Sequence, residues 1–327
     1  MERPFKICLI GCGGIAEQGH GPMLQKYASL RGWVELAACC DLSAERARAF
    51  AAAHGFARAY TDMHKMLDET MPDGAVLAVP VELTARLAIE VLARRIPLLL
   101  EKPPGISIDE GRAIAEAARQ AGVPASVAFN RRTMPLVEAL LHELGDGRGQ
   151  IAGVSVEMCR VRRAEPDFST TAIHVIDLAR YLCGSDYSSA EFVYREHREA
   201  APAADIHMLA RTESGAVVSI GVHPMCGVLT ERVTVRLHER SYSMELPIFG
   251  SADAPGRIVC QADNRITGVI AGDPGIAPAQ ANGFLGEYTS FFDAVRQGRT
   301  PPHDVAGTLQ SLELALRMSQ RAGRYAK

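Results

Sequence analysis

A short apolar run, Ile7-Cys8-Leu9-Ile10, stops at Gly11-Cys12-Gly13-Gly14-Ile15-Ala16, and a helical pattern follows. The spacing is G-x-G-x-x-A, with Ala16 in the third small position, a form the dinucleotide-binding turn tolerates. Gly11 can take the positive φ that a tight strand-to-helix turn needs. Gly13 has no side chain, so a pyrophosphate can approach its backbone. Gly14 and Ile15 complete the turn, and Ala16 lets the new helix pack close to the sheet. The first N–H groups of that helix then face an anion, helped by the helix dipole. An ordinary glycine turn is the alternative; the preceding strand and following helix are the context that favours the nucleotide fingerprint.

The rest of the chain is consistent with that start. Its 327 residues suggest about two domains. With 35 basic and 38 acidic residues the net charge is −3, which excludes the basic footprint of a nucleic-acid or anionic-membrane binder. No apolar run has the length of a transmembrane helix. Met1-Glu2-Arg3-Pro4 runs straight into a strand without a signal-peptide pattern, so a cytoplasmic location is expected. The cysteines, at 8, 12, 39, 40, 159, 183, 226 and 260, form no C-x-x-C pair. They read as reduced residues, several in apolar strand patterns, and no metal site is expected.

Taken in order, Gly19-His20-Gly21-Pro22 reads as a break in the first helix, which resumes from Met23 to Leu30. Val34–Cys40 reads as a second strand ending at Asp41, with Ser43 capping a helix over 44–54. An acidic residue at that strand tip is where the ribose hydroxyls of NAD are held, and it repels the 2′-phosphate of NADP. Asp41 as a second helix cap is the alternative. Strands and helices then alternate: helix 62–69, strand 74–79, helix 82–95, strand 97–100, helix 108–121, strand 125–129. That alternation predicts right-handed crossovers and a parallel sheet with ligands at the strands' carboxyl ends. Gly11, Asp41, Val79-Pro80, Glu101-Lys102-Pro103 and Asn130-Arg131 fall along that rim.

Beyond about residue 149 the pattern changes. A strand over 151–162 and a helix over 170–182 precede strand-like runs at 190–196, 205–212, 215–223, 231–238, 241–247 and 256–262. Short Gly-, Ser- and Pro-rich connections make this an antiparallel sheet. Residues 272–280 read as a loop, and helices over 283–297 and 303–322 close the chain. The expected fold is α/β: an N-terminal doubly wound Rossmann domain over 1–130, then an α+β domain over 131–327 with an open, mainly antiparallel sheet. The last helices are free to pack back on the first domain.

With Gly11–Ala16, Asp41, Ala78-Val79-Pro80, Glu101-Lys102-Pro103, Asn130-Arg131 and His174-x-x-Asp177 together, the chain resembles the Gfo/Idh/MocA oxidoreductases over its whole length. The E-K-P triplet is the most specific element. The resemblance implies that Lys102 lies beside the nicotinamide and the substrate hydroxyl, and that His174 is the proton acceptor. It implies an NAD (or NADP) cofactor, a small-molecule substrate, and a homo-oligomer, dimer or tetramer, formed through the C-terminal sheet. The chemistry agrees. A lysine in a dry cleft lowers the energy of a developing alkoxide. An imidazole is a natural acid–base group near neutrality. Asp177 lies one turn on, on the same helical face, where it can orient the imidazole or cap a neighbouring loop.

The sequence departs from the family at one position. Members often carry an aspartate four residues before the histidine, and here that position is Thr170. A threonine can hydrogen-bond a substrate but cannot balance the charge of Lys102. Asp167 is the nearest substitute carboxylate. Arg160 and Arg162, on one face of the expected strand, together with Arg163, suit solvated edge charges or a subunit interface better than an anionic sugar or sugar acid. Three functions stand open: a sugar or cyclitol dehydrogenase, an NAD-dependent glycosidase using transient oxidation, and an NAD-binding regulator with weak activity.

Overall fold

The computed structural model describes residues 3–164 and 169–327. The chain divides into two compact units, Met1–Asn130 with Phe284–Leu309, and Arg131–Gly283 with Gln310–Lys327.

The first unit is built on six strands: β1 (Phe5–Ile10), β2 (Val34–Cys40), β3 (Ala59–Tyr60), β4 (Gly74–Leu77), β5 (Leu98–Glu101) and β6 (Ala125–Ala128). They pair in parallel in the order β3-β2-β1-β4-β5-β6, so the strand order reverses beside β1. The middle strands carry almost unbroken apolar runs, since helices cover both faces of such a sheet. Its helices are α1 (Gly21–Arg31), α2 (Ala44–His54), α3 (Met63–Thr70), α4 (Val81–Leu92) and α5 (Ile108–Ala121). Their ends follow capping chemistry. Ser43 Oγ accepts from Arg46 N, Asp62 accepts from His64 N and Lys65 N, and Gly55 and Gly122 close α2 and α5 at positive φ.

The expected break in the first helix is absent. Residues Ala16–His20 form a π-helical turn that runs directly into α1. Gly19 and Gly21 serve packing, not interruption. A Cβ on Gly19 would sit 2.5 Å from the Phe284 ring, and one on Gly21 2.5 Å from the His54 ring.

In the second unit come α6 (Pro135–Leu144), β7 (Gly153–Cys159), α7 (Ser169–Cys183), β8 (Tyr187–Glu196), β9 (Ala204–Thr212), β10 (Val217–His223), β11 (Thr230–Leu237), β12 (Arg240–Glu245), β13 (Arg257–Ala262), β14 (Arg265–Ala271) and α8 (Pro278–Ala281). Helix α9 (Phe284–Arg296) belongs to the first unit; α10 (Leu309–Ser319) and β15 (Arg324–Ala326) finish the chain. The sheet runs β14-β13-β12-β11-β7-β10-β9-β8-β15. β7 and β10 pair in parallel, and the other neighbouring strands described are antiparallel. Burial alternates along β9, β10 and β11, so one face is covered and the other open. Helix α7 lies against β7 and β10, and Ile173, Val175, Ile176, Leu178 and Leu182 are buried.

Two strands, β14 and β15, lie beyond the runs expected from sequence. β14 is an edge strand of mostly exposed residues. Asp263 and Asn264 both have positive φ and link it to β13 as a two-residue hairpin turn.

Candidate active site

The glycine turn lies where β1, β2 and β4 end. Gly11 has φ +95°, and a Cβ there would come within 2.1 Å of the Ala78 carbonyl oxygen and 3.1 Å of Val79 Cγ1. Only glycine fits this crossing of two backbones. Gly13 and Gly14, in contrast, have nothing within 4 Å of the Cβ direction. The turn is thus closed on the protein side and open on the outer side, which fits the pyrophosphate of a dinucleotide. Ile15 is exposed there, whereas Ala16 is fully buried.

Asp41 braces this turn. Its Oδ2 accepts from Cys12 N at 3.0 Å, and its Oδ1 from Ser43 N at 2.9 Å and Arg46 Nε at 3.0 Å. Burial pushes its carboxyl up, but the Ser43 and Cys12 amides and Arg46 outweigh that and hold it below the usual carboxylate range. Ser43, not Asp41, provides the α2 cap. Pro80 stands at the start of α4, with Val79 just before it.

Glu101 ends β5, and the Lys102–Pro103 peptide is cis. Glu101 Oε2 accepts from Lys102 N at 3.1 Å, and Oε1 lies 2.9 Å from His20 Nε2. The other ring nitrogen of His20 is 2.6 Å from the Tyr288 hydroxyl. Burial pushes the Glu101 carboxyl up, yet the His20 hydrogen bond and the charges of His20 and Lys102 bring it down overall. From sequence alone His20 falls in an expected helix break, and no local pattern singles out Tyr288. The glycines on either side of His20 were the available signal, since each marks a close approach.

Asn130 is buried at the end of the first unit. Arg131, expected at the cofactor, begins the second unit, where its guanidinium clasps Glu231 at 3.0 and 3.1 Å. Arg160 joins the same carboxylate at 2.6 Å and also donates to the Cys159 and Thr230 carbonyls. Burial pushes Glu231 up, but Arg131 and Arg160 pull it down to about 2. Arg160 is therefore an interior clamp and not one of a row of substrate-facing arginines. β7 has ended at Cys159, and Arg162 takes φ +53°, so the expected alternation with Arg160 fails.

His174 and Asp177 lie on α7, at 8% and 1% exposure. The Asp177 carboxylate is held by Arg132 at 2.7 and 2.6 Å and by Ser311 Oγ at 2.9 Å. Those partners engage both oxygens and anchor α7 within its unit. The Thr170 side chain and Asp167 lie outside the described residues. Lys102 belongs to the first unit and His174 to the second. All eight cysteines are free, and only Cys226 among them is not buried. No helix among the described residues is long and apolar enough to cross a membrane.

Residues 5–129 match the family described as "Oxidoreductase family, NAD-binding Rossmann fold". That family is the Gfo/Idh/MocA oxidoreductases, and the match covers the Rossmann segment of the first unit. It is similar to D-apiose dehydrogenase of Paraburkholderia graminis, with 28% identity over 229 residues, 66% of this chain and 59% of that protein. D-glucoside 3-dehydrogenase of Escherichia coli is 24% identical over 195 residues, 55% of this chain and 54% of that protein. The matched part thus spans less than two thirds of these relatives. A dehydrogenase from Chromobacterium violaceum shares the fold, with a TM-score of 0.86 at 19% identity, covering 98% of this chain and 96% of that one.

Proposed function

We propose that the chain is an NAD-dependent dehydrogenase or reductase acting on a secondary alcohol or ketone of a sugar, cyclitol or related small polar molecule. The observation that carries this reading is Lys102, directly after a largely buried carboxylate at the carboxyl end of β5, in a unit whose glycine turn is open for a dinucleotide. Similarity to two sugar dehydrogenases supports the substrate class.

The bound nicotinamide supplies a hydride acceptor or donor. Gly11, Gly13, Gly14, Ile15 and Ala16 line the pyrophosphate turn, Asp41 receives the ribose hydroxyls, and Val79, Pro80 and Asn130 border the cofactor. Lys102 places its ammonium on the substrate oxygen and offsets the negative charge that grows there. His174 takes the hydroxyl proton at its imidazole nitrogen during oxidation and returns it during reduction. Thr170 offers a neutral hydrogen bond in place of the family aspartate. The open face of the second sheet, where Val193, Leu209 and Val217 are exposed, suits a second copy of the chain.

The test is a screen of sugars, polyols and sugar acids with NAD, read by formation of NADH. Lys102→Met should then lower kcat at least ~10²-fold. His174→Asn should cost roughly 10²- to 10⁴-fold. Both should leave NAD affinity nearly unchanged. Cleavage of an aryl glycoside without net NADH would overturn the reading in favour of transient oxidation. NAD binding with no turnover on the whole panel would favour a regulator.

A further inference from the structure

We propose that His20 is a positioning residue for Lys102: held by Tyr288, it fixes the Glu101 carboxylate against the Lys102 amide and so sets the placement and charge balance of that lysine. The inference rests on the reading of Lys102 given above.

The three groups form a line through the interior of the first unit. Tyr288 Oη and His20 Nδ1 are 2.6 Å apart, His20 Nε2 and Glu101 Oε1 2.9 Å, and Lys102 N and Glu101 Oε2 3.1 Å. His20 and Tyr288 are wholly buried. An ionised carboxylate only accepts, so Nε2 carries the proton toward Glu101, and Nδ1 faces the Tyr288 hydroxyl. Burial first, then the charges of Glu287 and Glu101, raise the Tyr288 phenol well above its ordinary range, so it stays a neutral donor. The ring has no freedom to turn away. Phe284 packs edge-on against it at 5.1 Å between centroids. A Cβ on the preceding Gly19 would strike that same Phe284 ring.

The cofactor turn does not need this arrangement. Gly11 is fixed by Ala78, and the turn is braced by Asp41. Both Glu101 oxygens are spoken for, one by the His20 ring and one by the Lys102 backbone. Removing the His20 donor leaves Glu101 Oε1 without that partner, so the carboxylate is free to turn from its place on the Lys102 amide and the countercharge facing the Lys102 ammonium falls.

Lys102 can be read without a substrate. The chain has five lysines, so ¹³C-reductive methylation of the full-length protein gives a simple spectrum, and Lys102→Met assigns the resonance. In His20→Leu, which removes the donor at similar volume, Lys102 should titrate at least about half a pH unit lower. His20→Gln, whose amide can still donate to Glu101, should restore most of the difference. Tyr288→Phe should move the midpoint in the same direction by less. NAD affinity, from titration of the same samples, should change less than about 2-fold. If Lys102 titrates as in wild type, or higher, in folded His20→Leu, the proposal is overturned. Should His20→Leu not fold, an unchanged midpoint in Tyr288→Phe overturns it. Absence of turnover in the wild type would instead sink the dehydrogenase reading and leave the titration result standing.

Discussion

Arg132 meets Asp177 as a parallel pair, Nε to Oδ2 at 2.7 Å and Nη2 to Oδ1 at 2.6 Å, with both side chains nearly excluded from water. Ser311 adds a third bond to the same carboxylate. A buried pair of this kind is costly to break from one side, because the other charge is left uncompensated. Asp177 sits three residues from His174 yet is committed elsewhere.

Asp177→Ala should therefore cost on the order of 3–5 kcal/mol, read by chemical denaturation. Asp177→Asn should lose part of that stability while keeping the pH–rate limb ascribed to His174 in place. Movement of that limb by a full unit in a folded Asp177→Asn protein would return Asp177 to the imidazole.

Asp41 should make NAD bind more tightly than NADP, since its carboxylate accepts from a ribose hydroxyl and repels a phosphate. Asp41→Ala removes that repulsion and releases Arg46, which now pairs with Asp41 Oδ1. The preference should narrow by roughly tenfold or more, an energy of about 1.4 kcal/mol. Calorimetric titration of both cofactors checks it, and tighter NADP binding in the wild type would refute the assignment.

Gly11→Ala should be the most damaging single change in the turn. It forces a side chain to φ +95° and against the Ala78 carbonyl, so strain and steric overlap add. A loss of more than about 2 kcal/mol, together with NAD affinity, is expected. Gly13→Ala, with open space around it, should spare stability and weaken only NAD binding. Equal stability losses for the two variants would contradict this account.

Glu231 gives the second unit a defined acid sensitivity. Its folded pKa, about 2, lies below the unfolded carboxylate value. The contribution is therefore fully present above about pH 4.5 and is lost as pH falls toward 2. Its size is on the order of 3 kcal/mol. Acid denaturation should be shallower in Glu231→Gln across that window, though the variant starts less stable because Arg131 and Arg160 lose their partner. An unchanged slope would place the acid sensitivity elsewhere.

The Rossmann unit was readable because its signals are local. Apolar strands, caps such as Ser43 and Asp62, and terminal glycines act within a few residues of where they are written. The mainly antiparallel character of the second sheet was readable from alternation, but β14 was not. Its residues are mostly exposed on an edge, so no buried face imposes a period, and only the Asp263-Asn264 turn betrays it. The parallel pairing of β7 with β10 depends on where distant strands meet. The destinations of charged residues were the least legible. The ion pairs of Arg131, Arg160 and Asp177 are invisible in a one-dimensional reading, because a buried ion pair and a ligand contact use the same side chains. The partners, Glu231, Arg132 and Ser311, lie up to 134 residues away.

Helix α9 gives the first unit an unusual history. Phe292 packs on Phe5 and Tyr27, and a Cβ on Gly74 would sit 2.6 Å from its ring. The strands that need this cover are synthesised long before it exists. At a translation speed of about 5–20 residues per second, the ribosome spends roughly ten to thirty seconds on the intervening segment. During that time the nascent nucleotide-binding layer carries an uncovered aromatic seam around Phe5, Tyr27 and Trp33. Chaperone dependence in the cell should therefore trace to this interval, and a chain stopped at residue 130 should aggregate where the complete chain does not.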